Sequence, residues 1–341
     1  MTIHNKQWIY SKRPSAQVGE DNYTLNVEEL NASSLKKGEV LVRAKYISVD
    51  PYIRIQQSSL NTWEEPHPIG AVQGAGMTGK VIASNSDVLN IGDWVNCYTG
   101  WQEYAIVNEN DARLLDTKMA PVSTSLGILG MPARVAYFGL TEAGKIKKGE
   151  TVVVSGAAGA VGSTVVQIAK LKGCRVVGIA GSKEKMNFLE QELGVDATIN
   201  YKENKTQEAM TKALQNACPA GVDIYYDNVG GVITDAVLDL VNVGARILIC
   251  GQISQYNHGL DTPEMGPRFL HKVLYKRMII QGILARDYND RMSEMIAEMG
   301  PWVRDGKLKY RETIVEGFEQ LPSALSGLFD GKNTGKMIVK V

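Results

Sequence analysis

The feature that leaves this chain the fewest choices is an alternation of apolar strands and amphipathic helices that begins at Thr151. TVVVS (151–155) is a fully apolar strand, and AVGSTVVQIAKLKG follows as a helix with Val161, Val165, Ile168 and Ala169 on one stripe. CRVVGIA (174–180) is the next strand, followed by a charged helix from Ser182 to Leu193 and the strand ATINY. A helix near 206–216, the strand VDIYYDNV (222–229), a helix near 231–241 and the strands ARILICG and MIIQGIL continue the pattern. A helix over 287–304 closes it. Uniformly apolar strands separated by helices cannot lie on a solvated surface. They predict right-handed βαβ units and a parallel sheet covered on both faces, an α/β fold.

The rest of the chain has a different texture. Residues from 20 to 115 read as short β-branched runs punctuated by glycine: Gly38 before EVLVRAKYISV, Gly79 inside MTGKVIAS, and Gly92-Asp93 before WVNCY. Such spacing suggests a β-barrel or a sandwich. LGILGMPARVAYFGLTEAG then reads as a partly buried helical stretch. Strand character returns at the end, in KYRETIV and GKMIVKV around a helix at 318–329, so both chain ends build the β module and the α/β part is an insertion. The 341 residues suffice for two such cores.

Lys+Arg and Asp+Glu are both 37, which gives none of the basic excess that a nucleic-acid or anionic-membrane partner requires. The expected partner is a small molecule. No apolar run approaches the ~18 residues of a membrane span, and MTIHNKQWIYSKRP has no apolar signal core, so a cytoplasmic location is expected. Cys97, Cys174, Cys218 and Cys250 are scattered without a CxxC, which excludes a disulfide scaffold and a cysteine-built zinc knuckle. His4, His67, His258 and His271 show neither HxH nor HExxH spacing, and no metal is expected.

The strongest motif is VVVSGAAGAVGS (152–163), placed between a buried strand and an amphipathic helix. Ala157, Gly159 and Gly162 occupy the three positions of a GxGxxG fingerprint, with Gly156 just before the first. Gly159 lets the backbone approach a pyrophosphate, Gly162 allows close helix–strand packing, and the helix N-terminus at Ala160 and Val161 offers N–H groups to phosphates. An ordinary glycine-rich turn is the blander alternative, and the downstream alternation favours the dinucleotide. A site for NAD places an acid at the end of the second strand to hold the ribose 2′-hydroxyl. Here that end reads Ala180-Gly181-Ser182-Lys183-Glu184-Lys185, with two lysines and no acid at the strand end. A 2′-phosphate gains there where a bare ribose does not, which favours NADPH.

Together with this fingerprint, Ser48-Val49-Asp50-Pro51-Tyr52, the Gly70–Gly79 segment, Leu129-Gly130-Met131-Pro132 and Ala136-Tyr137-Phe138-Gly139-Leu140 resemble a known family. Further matches are Gly181-Ser182 with Lys185, Asn200-Tyr201-Lys202, Asp227-Asn228-Val229-Gly230-Gly231, Cys250-Gly251-Gln252-Ile253-Ser254, Tyr256-Asn257 and Asn333-Thr334-Gly335-Lys336. In order and over nearly the whole chain, they resemble the zinc-independent medium-chain dehydrogenase/reductases. The branch is that of the prostaglandin/leukotriene reductases, with bacterial curcumin reductases and plant alkenal double-bond reductases. The resemblance implies a GroES-like β-barrel substrate domain (1–120 and 306–341) around a doubly wound Rossmann domain (121–305).

It also implies NADPH-dependent reduction of a carbon–carbon double bond conjugated to a carbonyl. Lys185 and Tyr201 are implied 2′-phosphate contacts, with Gly181 and Ser182 beside them. Asn228, Cys250, Ile253, Ser254 and Asn333 are further implied cofactor contacts, and Tyr52 and Tyr256 are implied substrate-pocket hydroxyls. Tyr256, just past a strand of the sheet, is expected to face Tyr52 of the other domain, which closes the pocket from the opposite side. Each tyrosine also has a plain reading as an amphipathic packing residue. Two stretches depart from the branch: Ala133-Arg134-Val135 lacks a hydroxyl near the nicotinamide and adds a charge, and Gly282-Ile283-Leu284-Ala285 lacks an aromatic residue. A quinone reductase of the same fold, or a non-catalytic NADPH-binding sensor, are the alternatives. A homodimer joined through the apolar MIIQGIL edge is expected.

Overall fold

The computed structural model describes residues 2–60, 62–258 and 265–341. In chain order the first strands are β1 (Thr2–Tyr10), β2 (Tyr23–Asn31), β3 (Glu39–Ser48), β4 (Gly76–Ser84), β5 (Trp94–Tyr98), β6 (Tyr104–Asn108) and β7 (Ala112–Leu114), with the short helix α1 (Tyr52–Gln56) after β3. Helix α2 (Met131–Phe138) precedes β8 (Thr151–Val154), α3 (Ala160–Leu171), β9 (Arg175–Ala180), β10 (Ala197–Asn200), β11 (Val222–Asp227), β12 (Val241–Ile249) and β13 (Ile279–Gly282). The chain ends with β14 (Glu312–Glu316) and β15 (Lys336–Lys340), on either side of a helix at Leu321–Phe329.

Val152, Val153 and Val154 are fully buried, as a strand covered on both faces requires. They occupy the middle of a parallel sheet with strand order β10-β9-β8-β11-β12-β13. The chain walks outward from β8 to β10 and then returns to β11 on the other side of β8. This reversal opens a crevice at the C-terminal ends of β8 and β11, where doubly wound sheets bind their ligands. Tyr225 and Tyr226 of β11 are fully buried, one on each face. The Tyr225 hydroxyl donates to Asp227 at 2.9 Å, and that of Tyr226 donates to the Val135 carbonyl of α2 at 2.8 Å.

The β-rich unit is barrel-like, with strand order β14-β15-β3-β4-β5-β7 and β6 paired to β3. Its core includes Val40, Ile47, Met77, Val95, Trp101, Leu321 and Val339, so residues from both chain ends share one apolar interior. β1 and β2 form a separate antiparallel pair. The β1 strand and α1 lie where the sequence shows no clear period.

Compact units in the structure change over at Leu126/Gly127 and Arg311/Glu312, a few residues after the 120/121 and 305/306 boundaries read from sequence. Side chains explain both shifts. The Ser125 hydroxyl bonds that of Thr78 at 2.6 Å, which ties residues through Leu126 to β4. At the other end Lys309 N–H donates to Gln167 of α3 at 2.7 Å, and the Arg311 guanidinium lies 4.5 Å from the centre of the Phe188 ring while pairing with Glu192.

β4 runs so close to β3 that a Cβ at Gly79 meets the Arg43 carbonyl oxygen at 2.4 Å. Gly79→Ala should therefore destabilise the protein by about 1–3 kcal/mol, read as a lower urea midpoint. An unchanged midpoint contradicts this packing.

Candidate functional site

In the α/β unit the fingerprint folds as a turn between β8 and α3. Gly156 takes a φ of +59°, which favours glycine, and Ala157 and Ala158 are buried under the turn. A Cβ at Gly162 falls 2.3 Å from the Gly156 carbonyl oxygen, so only glycine lets α3 begin this close to the strand. Gly159 is the N-cap of α3 and no side chain caps the helix. The first-turn amides, Ala160 and Val161 among them, have no acceptor within an α-helix, and the dipole there favours an anion.

The C-terminal end of β11 is organised by the buried Asp227 carboxylate. Its Oδ1 accepts from the Ser155 hydroxyl at 2.9 Å, from the N–H of Val229 at 3.0 Å and from that of Gly230 at 2.9 Å, besides Tyr225. Its Oδ2 accepts from the Thr234 hydroxyl at 2.6 Å. The Asn228 side chain donates to the Ser155 carbonyl at 2.7 Å, so this amide braces the fingerprint turn. The Cys250–Ser254 loop joins the same assembly: Cys250 N–H donates to the Asp227 carbonyl at 2.8 Å, Ile253 N–H to that of Asn228 at 3.3 Å, and the Ser254 hydroxyl to that of Val229 at 2.6 Å. Burial pushes the Cys250 thiol up to about 12, so it stays protonated rather than serving as a nucleophile.

At the end of β9, Ser182 caps the next helix by accepting from Lys185 N–H at 3.3 Å. The Tyr201 ring lies against Gly181, where a Cβ meets Tyr201 Cε1 at 2.5 Å. Burial, and then the neighbouring Lys202 cation, lower the Lys185 pKa, with Glu184 opposing weakly. Lys185 and Lys202 thus bring two cations near the end of a strand whose last residue is not an acid. Lys202 was not singled out as a site residue from sequence, because its approach to Lys185 depends on β10 lying beside β9.

In the β-rich unit Tyr52 begins α1, half-buried against the core. Burial, and then Tyr98 and Asp50, raise its phenol well above the ordinary tyrosine range. Tyr98 hydrogen-bonds Tyr52 and accepts from Gln56 Nε2 at 3.4 Å, while the same Gln56 nitrogen donates to Glu64. Tyr256 is 8% exposed and opens the Tyr256–His258 turn, which packs on α1. This corrects the expectation that the two tyrosines come from different domains. After Cys250 the chain leaves the sheet, and the contacts of Tyr256 lie with the β-rich unit, so Tyr52 and Tyr256 belong together there. Asn333 is in the same unit, its side chain donating to the Gly335 carbonyl at 2.8 Å.

The two departures are packed into the α/β unit. Val135 is buried and its carbonyl accepts from Tyr226. Arg134 is half-buried with Nη1 4.0 Å from Met292 Sδ, its Nε has no hydrogen-bond partner, and burial lowers its pKa. Ile283 is 4% exposed and touches the region of Gly139, where it acts as core.

Comparison with known proteins agrees with this geometry. A family model described as the N-terminal domain of oxidoreductase matches residues 6–115, and one described as zinc-binding dehydrogenase matches residues 160–300. The chain is 43% identical to the NADPH-dependent curcumin reductase of Escherichia coli, over 99% of this chain and 97% of that one. It is 38% identical to the NADP(+)-dependent 2-alkenal reductase of Nicotiana tabacum, over 99% and 98%. The crystal structure of CurA from Vibrio vulnificus in complex with NADPH superposes with a TM-score of 0.91 at 41% identity, over 98% of this chain and 99% of that one. A barrel-like unit joined to a doubly wound dinucleotide unit defines a two-domain oxidoreductase. The chain belongs to the medium-chain dehydrogenase/reductase family, in the curcumin, prostaglandin and alkenal reductase branch.

The second family description names zinc, and the described residues do not fit it. Among the described residues no group of three or more His, Cys, Asp or Glu side chains is placed to hold a metal ion, and the His258 side chain lies outside them. NADPH fits, because Gly162 lets the uncapped helix begin close against the turn and two lysines lie near the end of β9, whose last residue is not an acid. Gly162→Ala should lower NADPH affinity by at least roughly tenfold, since the added methyl pushes the helix off the turn. Fluorescence titration checks this, and wild-type affinity in a folded Gly162→Ala protein contradicts the placement.

Proposed function

We propose that this protein is an NADPH-dependent reductase of the carbon–carbon double bond of α,β-unsaturated ketones and aldehydes, working without zinc. The observation that carries the reading is the paired Lys185 and Lys202 at an acid-free strand end beside an uncapped, glycine-cradled helix. The curcumin and 2-alkenal reductases it resembles along their full length are named for this class of substrate. Bound NADPH supplies the hydride, which adds to the β-carbon of the enone.

The chain's own residues do the rest. The amides of Ala160 and Val161 hold the pyrophosphate, Gly159 lets the backbone approach it, and Gly162, with Ala157 under the turn, lets α3 begin close to the strand. Lys185, Lys202, Ser182 and Tyr201, over Gly181, hold the 2′-phosphate. Asn228, Cys250, Ile253, Ser254 and Asn333 complete the cofactor contacts. As negative charge gathers on the substrate carbonyl oxygen, it needs positioned donors, one of which is typically worth about 2.7–4 kcal/mol of barrier. The Tyr256 hydroxyl donates that hydrogen bond, and Tyr52 orients the enone.

The substrate is a small molecule and the protein is assigned to the cytoplasm; among the described residues no helix is long and apolar enough to cross a membrane. A homodimer is part of the same reading. β13 ends its sheet with Ile279 56% and Ile280 40% exposed, and the helix at Leu270–Lys276 beside β12 exposes Leu270 and Leu274. A second copy adding its own β13 covers this edge.

Simple enones should support steady NADPH oxidation with saturated carbonyl products, ahead of quinones, and Tyr256→Phe should lower kcat roughly a hundredfold while leaving NADPH affinity alone. An ordinary tyrosine titrates at ~10 and burial raises the Tyr52 phenol further, so neither hydroxyl role calls for a group that titrates near neutrality and the rate should stay flat from about pH 6 to 8. Turnover of quinones alone overturns the assignment, and full kcat in Tyr256→Phe makes that tyrosine a packing residue. Lys185→Ala should weaken NADPH binding by about 1.5–3 kcal/mol and leave NADH nearly untouched. Equal weakening of both cofactors contradicts the 2′-phosphate assignment.

A further inference from the structure

The ladder between β3 and β15 pairs Ser48 with Ile338, and the Val49 N–H donates to the Met337 carbonyl at 3.3 Å. Past this point the two chains part, one toward Pro51 and Tyr52, the other toward Gly335 and Asn333. Lys336 sits at the parting, 3% exposed. Its Nζ donates to the carbonyls of Val49 at 2.7 Å and Met337 at 2.8 Å and lies 3.0 Å from Asp50 Oδ1, which accounts for all three ammonium hydrogens. The Ser48 hydroxyl donates to Asp50 Oδ2, and the Asp50 carbonyl accepts the Ile53 N–H at 3.2 Å in the first turn of α1.

On the other side Gly335 turns with a φ of +68°, and Thr334 is bonded through both its N–H and its carbonyl to the Thr313 hydroxyl at 3.0 Å. Glu312, opposite Lys336 in β14, also faces the ammonium. Burial raises its carboxyl pKa and Ser123 hydrogen-bonds it.

A buried ion pair of this kind gives little net stability over two apolar side chains of the same volume, because desolvation offsets the Coulomb attraction. What an apolar pair cannot supply is direction. We propose that Lys336 and Asp50 are positioning residues that fix the Tyr52 segment and the Asn333 segment relative to one another. The pair thereby sets a substrate hydroxyl and a cofactor amide from one anchor. This rests on the roles given above to Tyr52 and Asn333.

The test is the double variant Lys336→Met/Asp50→Leu, which removes both charges of the pair together and leaves Glu312, whose carboxyl pKa burial already raises, to take up a proton. Its melting temperature should stay near that of the wild type, while KM for a small enone rises roughly tenfold and NADPH affinity falls severalfold, with kcat changed less. Lys336→Arg, which keeps the charge pair, should recover most of the affinity. Wild-type KM and NADPH affinity in the folded double variant overturn the proposal. If the double variant does not fold, Ser48→Ala decides. It frees one oxygen of Asp50 and should raise KM severalfold while lowering the melting temperature by only a few degrees, and a wild-type KM there is equally fatal. Tyr52→Phe and Asn333→Ala are measured alongside. If neither alters KM or NADPH affinity, the roles of those two residues fail and the proposal falls with them. If they do and the pair variant does not, only the positioning role falls.

Discussion

The fully buried carboxylate of Asp227 is the constraint on which the dinucleotide site depends. It ends β11 beside the end of β8, and its acceptors are filled by the hydroxyls of Ser155, Tyr225 and Thr234 and by the amides of Val229 and Gly230. A buried charge without such donors costs several kcal/mol, so the turns after β8 and β11 cannot move independently of it. The Cys250–Ser254 loop then hangs on backbone acceptors of Asp227, Asn228 and Val229. The carboxylate thus ties together the ends of β8 and β11, and backbone carbonyls there hold the loop that follows β12. The uncapped N-terminus of α3 opens beside these ends, held close by the absence of a side chain at Gly162.

Electrostatics divides the work between the two units. The α/β unit places the positive end of α3 and the cations of Lys185 and Lys202 at the strand ends, which suits the phosphates of NADPH. The β-rich unit gathers neutral hydroxyls instead. Burial keeps the phenols of Tyr52 and Tyr98 protonated, and the Tyr256 turn packs on the helix that Tyr52 begins. Hydrogen-bond donors that do not titrate near neutrality can stabilise charge on a carbonyl oxygen.

Most of the α/β unit was legible in the sequence because its signals are local. A four-residue apolar run, TVVV, followed by a glycine-rich turn and a 3.6-residue stripe, encodes β8, the cradle and α3 without reference to distant residues. The return of the chain's end to the β-rich unit could be read from a change of texture. Contacts made over long separations could not. Lys336 meets Asp50 across nearly the whole chain, Lys202 nears Lys185 only because β10 lies beside β9, and Asp227 gathers donors from three segments. The side on which Tyr256 falls was misjudged because proximity to β12 in sequence says nothing of which unit a loop packs on. α1 has five residues, too few for a helical period to show.

The central claim is that hydride passes from NADPH to the β-carbon of a conjugated carbonyl. Turnover of a simple enone with NADPH deuterated at C4, on the face that transfers, followed by NMR of the product, tests it most directly. The account predicts one deuterium on the carbon β to an intact carbonyl, with the α-carbon proton drawn from solvent. Deuterium on the carbonyl carbon, as in an alcohol product, or NADPH oxidation with no deuterium at the β-carbon, contradicts it.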